Sequence, residues 1–151
     1  MNVAGGLPRP VTPEGASYVP AGAGRGAAFG MNPISPDGAL IASCDANGGW
    51  FLYPADGSGV SPRPISGIGP HETMLRWAAD GKSVFVRREG PPNAVFRLDL
   101  SSGRKTLWKE FLPAGLGSGQ VQGIVLTSDG KSYAYGYTRY HSDLFVLEGL
   151  K

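Results

Sequence analysis

The four-residue turn Ser35-Pro36-Asp37-Gly38 comes back twice in altered form, as Ala78-Ala79-Asp80-Gly81 and as Thr127-Ser128-Asp129-Gly130. An apolar residue stands just before each copy (Ile34, Trp77, Leu126) and a short strand-like run follows. Asp-Gly suits a tight hairpin because glycine takes positive φ freely and the aspartate bonds its own backbone. The copies recur after 43 and then 49 residues, a period that belongs to propellers and solenoids. Register supports the alignment. From the turn glycine to a core position in the third strand is 15 residues in two units, Gly81 to Phe96 and Gly130 to Phe145, and 14 in the first, Gly38 to Leu52.

Taken in order, the first unit (27–69) predicts strands over 29–34, 39–43, 50–53 and 63–66, joined by Asp37-Gly38, Asn47-Gly48-Gly49 and Asp56-Gly57-Ser58-Gly59. The second (70–114) predicts strands over 74–77, 83–86, 95–100 and 105–108, with Gly90-Pro91-Pro92-Asn93 and Ser101-Ser102-Gly103 as connections. The third (115–151) predicts 123–126, 132–137 and 144–147, and the sequence ends before a fourth strand. Four short strands joined by tight turns over about 40 residues make one propeller blade. The expected fold is all-β: a partial β-propeller of about three four-stranded antiparallel blades, the final blade lacking its last strand. Closed propellers take four or more blades. The chain is therefore expected to be the C-terminal portion of a longer propeller, or to complete a ring with another chain.

Residues 1–26 read differently. Gly and Pro supply 11 of the first 30 positions, and 21–26 is too glycine-rich for a packed strand. The segment is expected to be flexible, with Pro8-Arg9-Pro10-Val11-Thr12, an echo of Pro62-Arg63-Pro64-Ile65-Ser66, as a strand of a preceding blade. Charged residues make up 17% of the chain and the net charge is +2, which argues against a nucleic-acid or membrane surface. The lone cysteine, Cys44, permits no intrachain disulfide and leaves the compartment open. No apolar run approaches the roughly 20 residues that span a bilayer, and residues 1–8 lack the pattern of a signal peptide.

On the Ser-Pro-Asp-Gly turn and its following strand, residues 27–151 resemble the TolB-like, WD-repeat-like β-propellers of bacteria. Ala78-Ala79 and Thr127-Ser128 depart from Ser-Pro, so those two units rest on register. The tail from Tyr135-Gly136-Tyr137-Thr138-Arg139 to Ser142-Asp143-Leu144-Phe145-Val146-Leu147-Glu148-Gly149-Leu150-Lys151 is similar to the C-terminal end of propellers fused to bacterial eukaryotic-like serine/threonine protein kinases. That resemblance implies a sensory or scaffold region. The kinase His-Arg-Asp and Asp-Phe-Gly motifs do not occur here, so a kinase would lie upstream.

The chemistry-bearing residues read as architecture. His141-Ser142-Asp143 holds the residue types of a hydrolase triad as sequence neighbours, whereas triads assemble from separate segments; it reads as a turn. Cys44 could pair with His71 or His141 as nucleophile and base, but it ends an apolar strand, where a buried thiol is ordinary. Two histidines and one cysteine make no zinc site. Asp37, Asp80 and Asp129 are lone carboxylates, whereas calcium gathers several oxygens. The glycine runs at 22–26 and 115–119 lack the Lys-Ser/Thr pair of a phosphate loop. Trp50, Trp77 and Trp108 are expected in the core. No catalytic residue, cofactor or metal is expected. Arg76 and Gln122, on first strands that line a propeller's channel, are the candidate ligand contacts. Loops 67–71, 87–93 and 113–120 would carry specificity for a protein or peptide partner. The sequence thus reads as a non-catalytic interaction module. The alternatives are the substrate-gating propeller of a prolyl-oligopeptidase-like peptidase and a TolB-like periplasmic protein.

Overall fold

The computed structural model describes residues 10–18, 31–58, 61–112, 120–138, 142–146 and 149. Among the described residues nine strands form three antiparallel sheets in chain order, and there is no helix. Sheet one holds β1 (Leu40–Cys44), β2 (Trp50–Pro54) and β3 (Arg63–Pro64). Sheet two holds β4 (Glu72–Trp77), β5 (Ser83–Arg88), β6 (Asn93–Asp99) and β7 (Lys105–Phe111). Sheet three holds β8 (Gln120–Leu126) and β9 (Tyr133–Thr138). In each sheet the strands neighbour one another in sequence order, the up-and-down pattern of a propeller blade.

The recurring turn is one structure built three times. The amides of Gly38, Gly81 and Gly130 donate to Ser35, Ala78 and Thr127 carbonyls at 2.9, 3.1 and 3.0 Å. All three glycines are left-handed, with φ of 73, 65 and 69°, where a Cβ would be strained. Each aspartate accepts the amide two residues on: Ala39 at 3.0 Å, Lys82 at 3.1 Å and Lys131 at 3.0 Å. The Ser35 hydroxyl donates to Asp37 and accepts from the Leu40 amide; Thr127 does the same with Asp129 and Ser132. Ala78 has no hydroxyl, so Asp80 takes over and accepts both the amide and the hydroxyl of Ser83.

The sheets stack face to face through two cores. Ala42, Cys44, Trp50 and Leu52 of sheet one meet Met74, Trp77, Val84, Val86 and Leu98 of sheet two. The other face of sheet two sets Leu75, Phe85, Val95 and Phe111 against Val121, Ile124 and Leu126 of sheet three. Successive side chains of β5 therefore serve opposite seams, as the two-residue period of a strand requires. Near the centre, Asn32 and Arg76 form a parallel bridge between units one and two. This is a partial β-propeller.

Four expectations are corrected. In unit one, 31–34 makes only bridges at Asn32 and Ile34, because Pro33 between them has no N–H to donate; Phe29 and Gly30 lie outside the described residues. The predicted strand at 63–66 shrinks to Arg63–Pro64, an edge position of the kind proline is confined to. In unit three, the predicted strand at 144–147 is not built over 144–146, and Leu147 lies outside the described residues. Residues 142–146 carry no strand, and Leu144, Phe145 and Val146 are 93, 83 and 78% exposed. No glycine or proline occurs between Tyr137 and Glu148 to reverse the chain. At the other end, 10–12 forms no strand; instead Ser17 bridges Cys44 at the edge of β1. Residues 21–26, 113–119 and His141 lie outside the described residues.

Two measurements test these packing and turn arguments. A Cβ on Gly67 (φ 93°) would stand 2.5 Å from the Gly103 carbonyl oxygen and 2.8 Å from Leu98 Cδ1. Gly67→Ala should cost more than about 2 kcal/mol in urea denaturation. Gly48→Ala, at similar φ but with open space around it, should cost less. The second concerns acid. The Ser35 hydroxyl and Ala39 amide hold Asp37 below the carboxylate's ordinary 3.8, and Thr127 and Lys131 do so for Asp129. At Asp80 burial pushes upward, but Ser83, the Lys82 amide and Arg97 outweigh it. With folded values depressed, the turns' stabilisation is whole above the ordinary value and is lost as pH falls below it. The melting midpoint should drop on acidification below about pH 4, more shallowly in an Asp37→Asn/Asp129→Asn double variant.

Candidate functional site

Arg76 and Gln122 do not form a pair of equivalents. Arg76 stands five residues before Gly81 and Gln122 eight before Gly130, so the counterpart of Arg76 is Val125. Arg76 Nη1 donates to the Leu126 carbonyl at 2.6 Å, and its Nε is buried without a partner. Its guanidinium holds sheet three to sheet two. Gln122 lies opposite Gly136 and is exposed.

The residue that sequence reasoning missed is Arg87. It is only 6% exposed, and its Nη2 donates to Asn93 Oδ1 and to the Val121 carbonyl, both at 2.9 Å. Burial pushes its guanidinium downward, and Glu89, 3.7 Å away, pulls it back up. Arg76 and Arg87 thus clasp β8 near its two ends, at Leu126 and Val121. The signal for Arg87 was its place two residues after Phe85, on the strand face that packs on the next blade.

Other polar groups are similarly engaged. Lys105 Nζ reaches both carboxylate oxygens of the buried Glu72, at 2.8 and 2.6 Å, while Glu72 also accepts the Gly69 amide. Arg97 donates to Asp80 and to Ser83. The Cys44 thiol donates to the Ser17 carbonyl at 3.0 Å, and burial pushes it up, the opposite of what a nucleophile needs. His71 is exposed, its carbonyl accepting from the Glu89 amide. Trp50 and Trp77 are core residues, and Trp77 Nε1 donates to the Pro33 carbonyl.

Among the exposed hydrophobic side chains is a run of tyrosines. Tyr133, Tyr135 and Tyr137 alternate along β9 on the side facing sheet two and are 43, 38 and 53% exposed. Phe111 packs edge-on to Tyr135 at 5.1 Å, Trp108 to Tyr133 at 5.7 Å, and Lys109 Nζ sits 4.8 Å over the Tyr133 ring. Each such ring contact contributes about 0.5–1.5 kcal/mol. The ladder is therefore held rigid from behind while its outer faces meet water.

No protein family and no curated protein matches the chain by sequence. Among solved structures it is similar to a protein assigned as TolB from Agrobacterium tumefaciens. That match has a TM-score of 0.47 and 25% identity, over 70% of this chain and 40% of the other. It is also similar to TolB from Acinetobacter baumannii, with a TM-score of 0.46 and 23% identity over 76% of this chain and 28% of the other. The chain thus spans less than half the length of either protein.

The arginine clasp makes its own prediction. Arg87→Ala leaves the Val121 carbonyl and Asn93 side chain without their donor and should destabilise by about 2 kcal/mol. Hydrogen exchange should show the protection lost first in β8 and β9, with sheet one unchanged.

Proposed function

We propose that the chain is a non-catalytic β-propeller module that binds a protein or peptide partner. The observation that carries the reading is the tyrosine ladder of β9, three half-exposed rings of which Tyr133 and Tyr135 are braced by Trp108 and Phe111 and Tyr137 by Tyr135. Tyrosine and tryptophan dominate the energetics of protein interfaces because they bury large area at little conformational cost. The enclosed charged groups support it too, since the buried Arg87 and Glu72 and the half-buried Arg76 serve the seams and loops. Of the two residues expected to line the channel, Gln122 is the one open to a ligand. Loop 67–71 and the β5–β6 connection within 87–93 add specificity; of 113–120, residues 113–119 lie outside the described residues.

We place this module in the C-terminal sensory or scaffold part of a larger bacterial signalling protein such as a serine/threonine kinase. That context rests on the sequence of the tail. An upstream kinase in the same open frame supports it; a downstream Gly-x-Ser-x-Gly hydrolase, or a signal peptide with further repeats, overturns it.

Peptides selected from a displayed library against the chain should bind through the ladder. Tyr135→Ala or Tyr137→Ala should weaken them about tenfold, the change expected of a contact residue at an interface centre, with the melting midpoint little altered for the more exposed Tyr137. Binders indifferent to the three tyrosines would remove the assignment. Hydrolysis of a peptide or ester substrate, abolished by a single Ser or Cys change, would overturn the non-catalytic reading itself.

A further inference from the structure

Three features meet at the outer edge of β9. Among the described residues β9 pairs only with β8, so its other row of N–H and C=O groups is open to another strand. Just beyond it, residues 142–146 form no strand, and Leu144, Phe145 and Val146 stand almost wholly in water. Yet spacing marks this segment as the blade's third strand. Phe145 lies as far beyond Gly130 as Phe96 lies beyond Gly81, and Phe96 pairs with Val86 in the β5–β6 ladder. Shifting by the same 49 residues sets Phe145 opposite Tyr135 and Leu144 opposite Gly136.

What the sequence of unit three lacks is the glycine that makes the reversal in the other two units. Between second and third strands, sheet one turns at Gly48 with φ 83° and sheet two at Gly90 with φ 144°, both in the range that favours glycine. By the same count Gly90, Pro91 and Pro92 correspond to Arg139, Tyr140 and His141. Turn chemistry of this kind decides whether a strand returns on its own neighbour or reaches elsewhere. The sequence therefore keeps the strand and omits the turn that would fold it back.

We propose that two copies of the chain exchange this segment, residues 142–146 of each adding antiparallel to β9 of the other. The exchange supplies in trans the third strand that β6 supplies in cis in sheet two. Leu144 covers the exposed Ala134 and Gly136, whose small size leaves room for it. Phe145 extends the aromatic row beside Tyr135. Because the exchange is reciprocal between two copies, the contact is isologous and closes at a dimer.

Light scattering over a concentration series should show a reversible dimer. Phe145→Asp, at a site exposed in the single chain, should leave a folded monomer. Replacing the connector (Arg139→Gly, Tyr140→Pro, His141→Pro) should also yield monomers by letting the strand return to its own sheet. When Tyr135→Cys and Phe145→Cys chains are co-expressed, they should form a disulfide-linked pair. The proposal is overturned by a chain monomeric at every concentration. It is equally overturned by a dimer indifferent to both variants, or by a Tyr135→Cys/Phe145→Cys double variant that cross-links only within itself.

Discussion

The middle sheet is apolar on both faces, and the rest of the structure depends on that. In β5, Val84 and Val86 point to one neighbour and Phe85 to the other, all at most 2% exposed. Burying side chains of this size is worth about 1.5–3 kcal/mol each. A sheet covered on one side only would forfeit half of that. Sheets one and three are thus requirements of the composition of sheet two, and the three can be stable only as a stack.

The two seams solve the packing problem differently. The first is filled by aliphatic and tryptophan side chains, with Trp77 also donating to the Pro33 carbonyl. The second mixes aliphatic contacts with a run of edge-on rings and two arginines. It is also the seam beyond which covering runs out. On the far face of sheet three, Gln122, Ala134 and Gly136 are exposed beside the half-buried Val125. The half-exposed tyrosines belong to this seam, which makes the stretch richest in rigid aromatic surface also the least enclosed.

Much of this architecture was legible in the sequence because its punctuation is local. An Asp-Gly turn is determined by four to six residues, so three copies could be aligned even where Ala78-Ala79 replaces Ser-Pro, and the structure builds all three with nearly equal φ. Strands β4 to β7 followed because apolar runs met clear turns. The failures have equally local causes. Pro33 interrupts a ladder that hydrophobicity alone favours, and prolines shorten β3. Counting from Gly130 located the strand-like run at 144–147 but said nothing of whether the chain could turn back onto β9. At the candidate site, Arg76 and Gln122 were chosen as first-strand residues, and they stand at different distances, five and eight residues, from the turn glycine. Arg87 was missed because a single charge at the end of a strand looks like solvent-facing surface until a carbonyl from another unit is placed against it.

The ties between units share one property. Asn32 N to Leu75 O, Trp77 Nε1 to Pro33 O, Ala79 N to Ser128 O, Arg76 to Leu126 O and Arg87 to Val121 O all end on main-chain carbonyls. A carbonyl is present whatever side chain the receiving residue carries, so the fastening is blind to the identity of its target. Leu126 or Val121 could be exchanged for another apolar residue without losing the hydrogen bond, provided the strand kept its path. Such a stack can tolerate wide divergence in side chains while being strict about lengths. That is the pattern these units display: Ser-Pro gives way to Ala-Ala and Thr-Ser, while the distance from turn glycine to third strand stays at 14 or 15 residues.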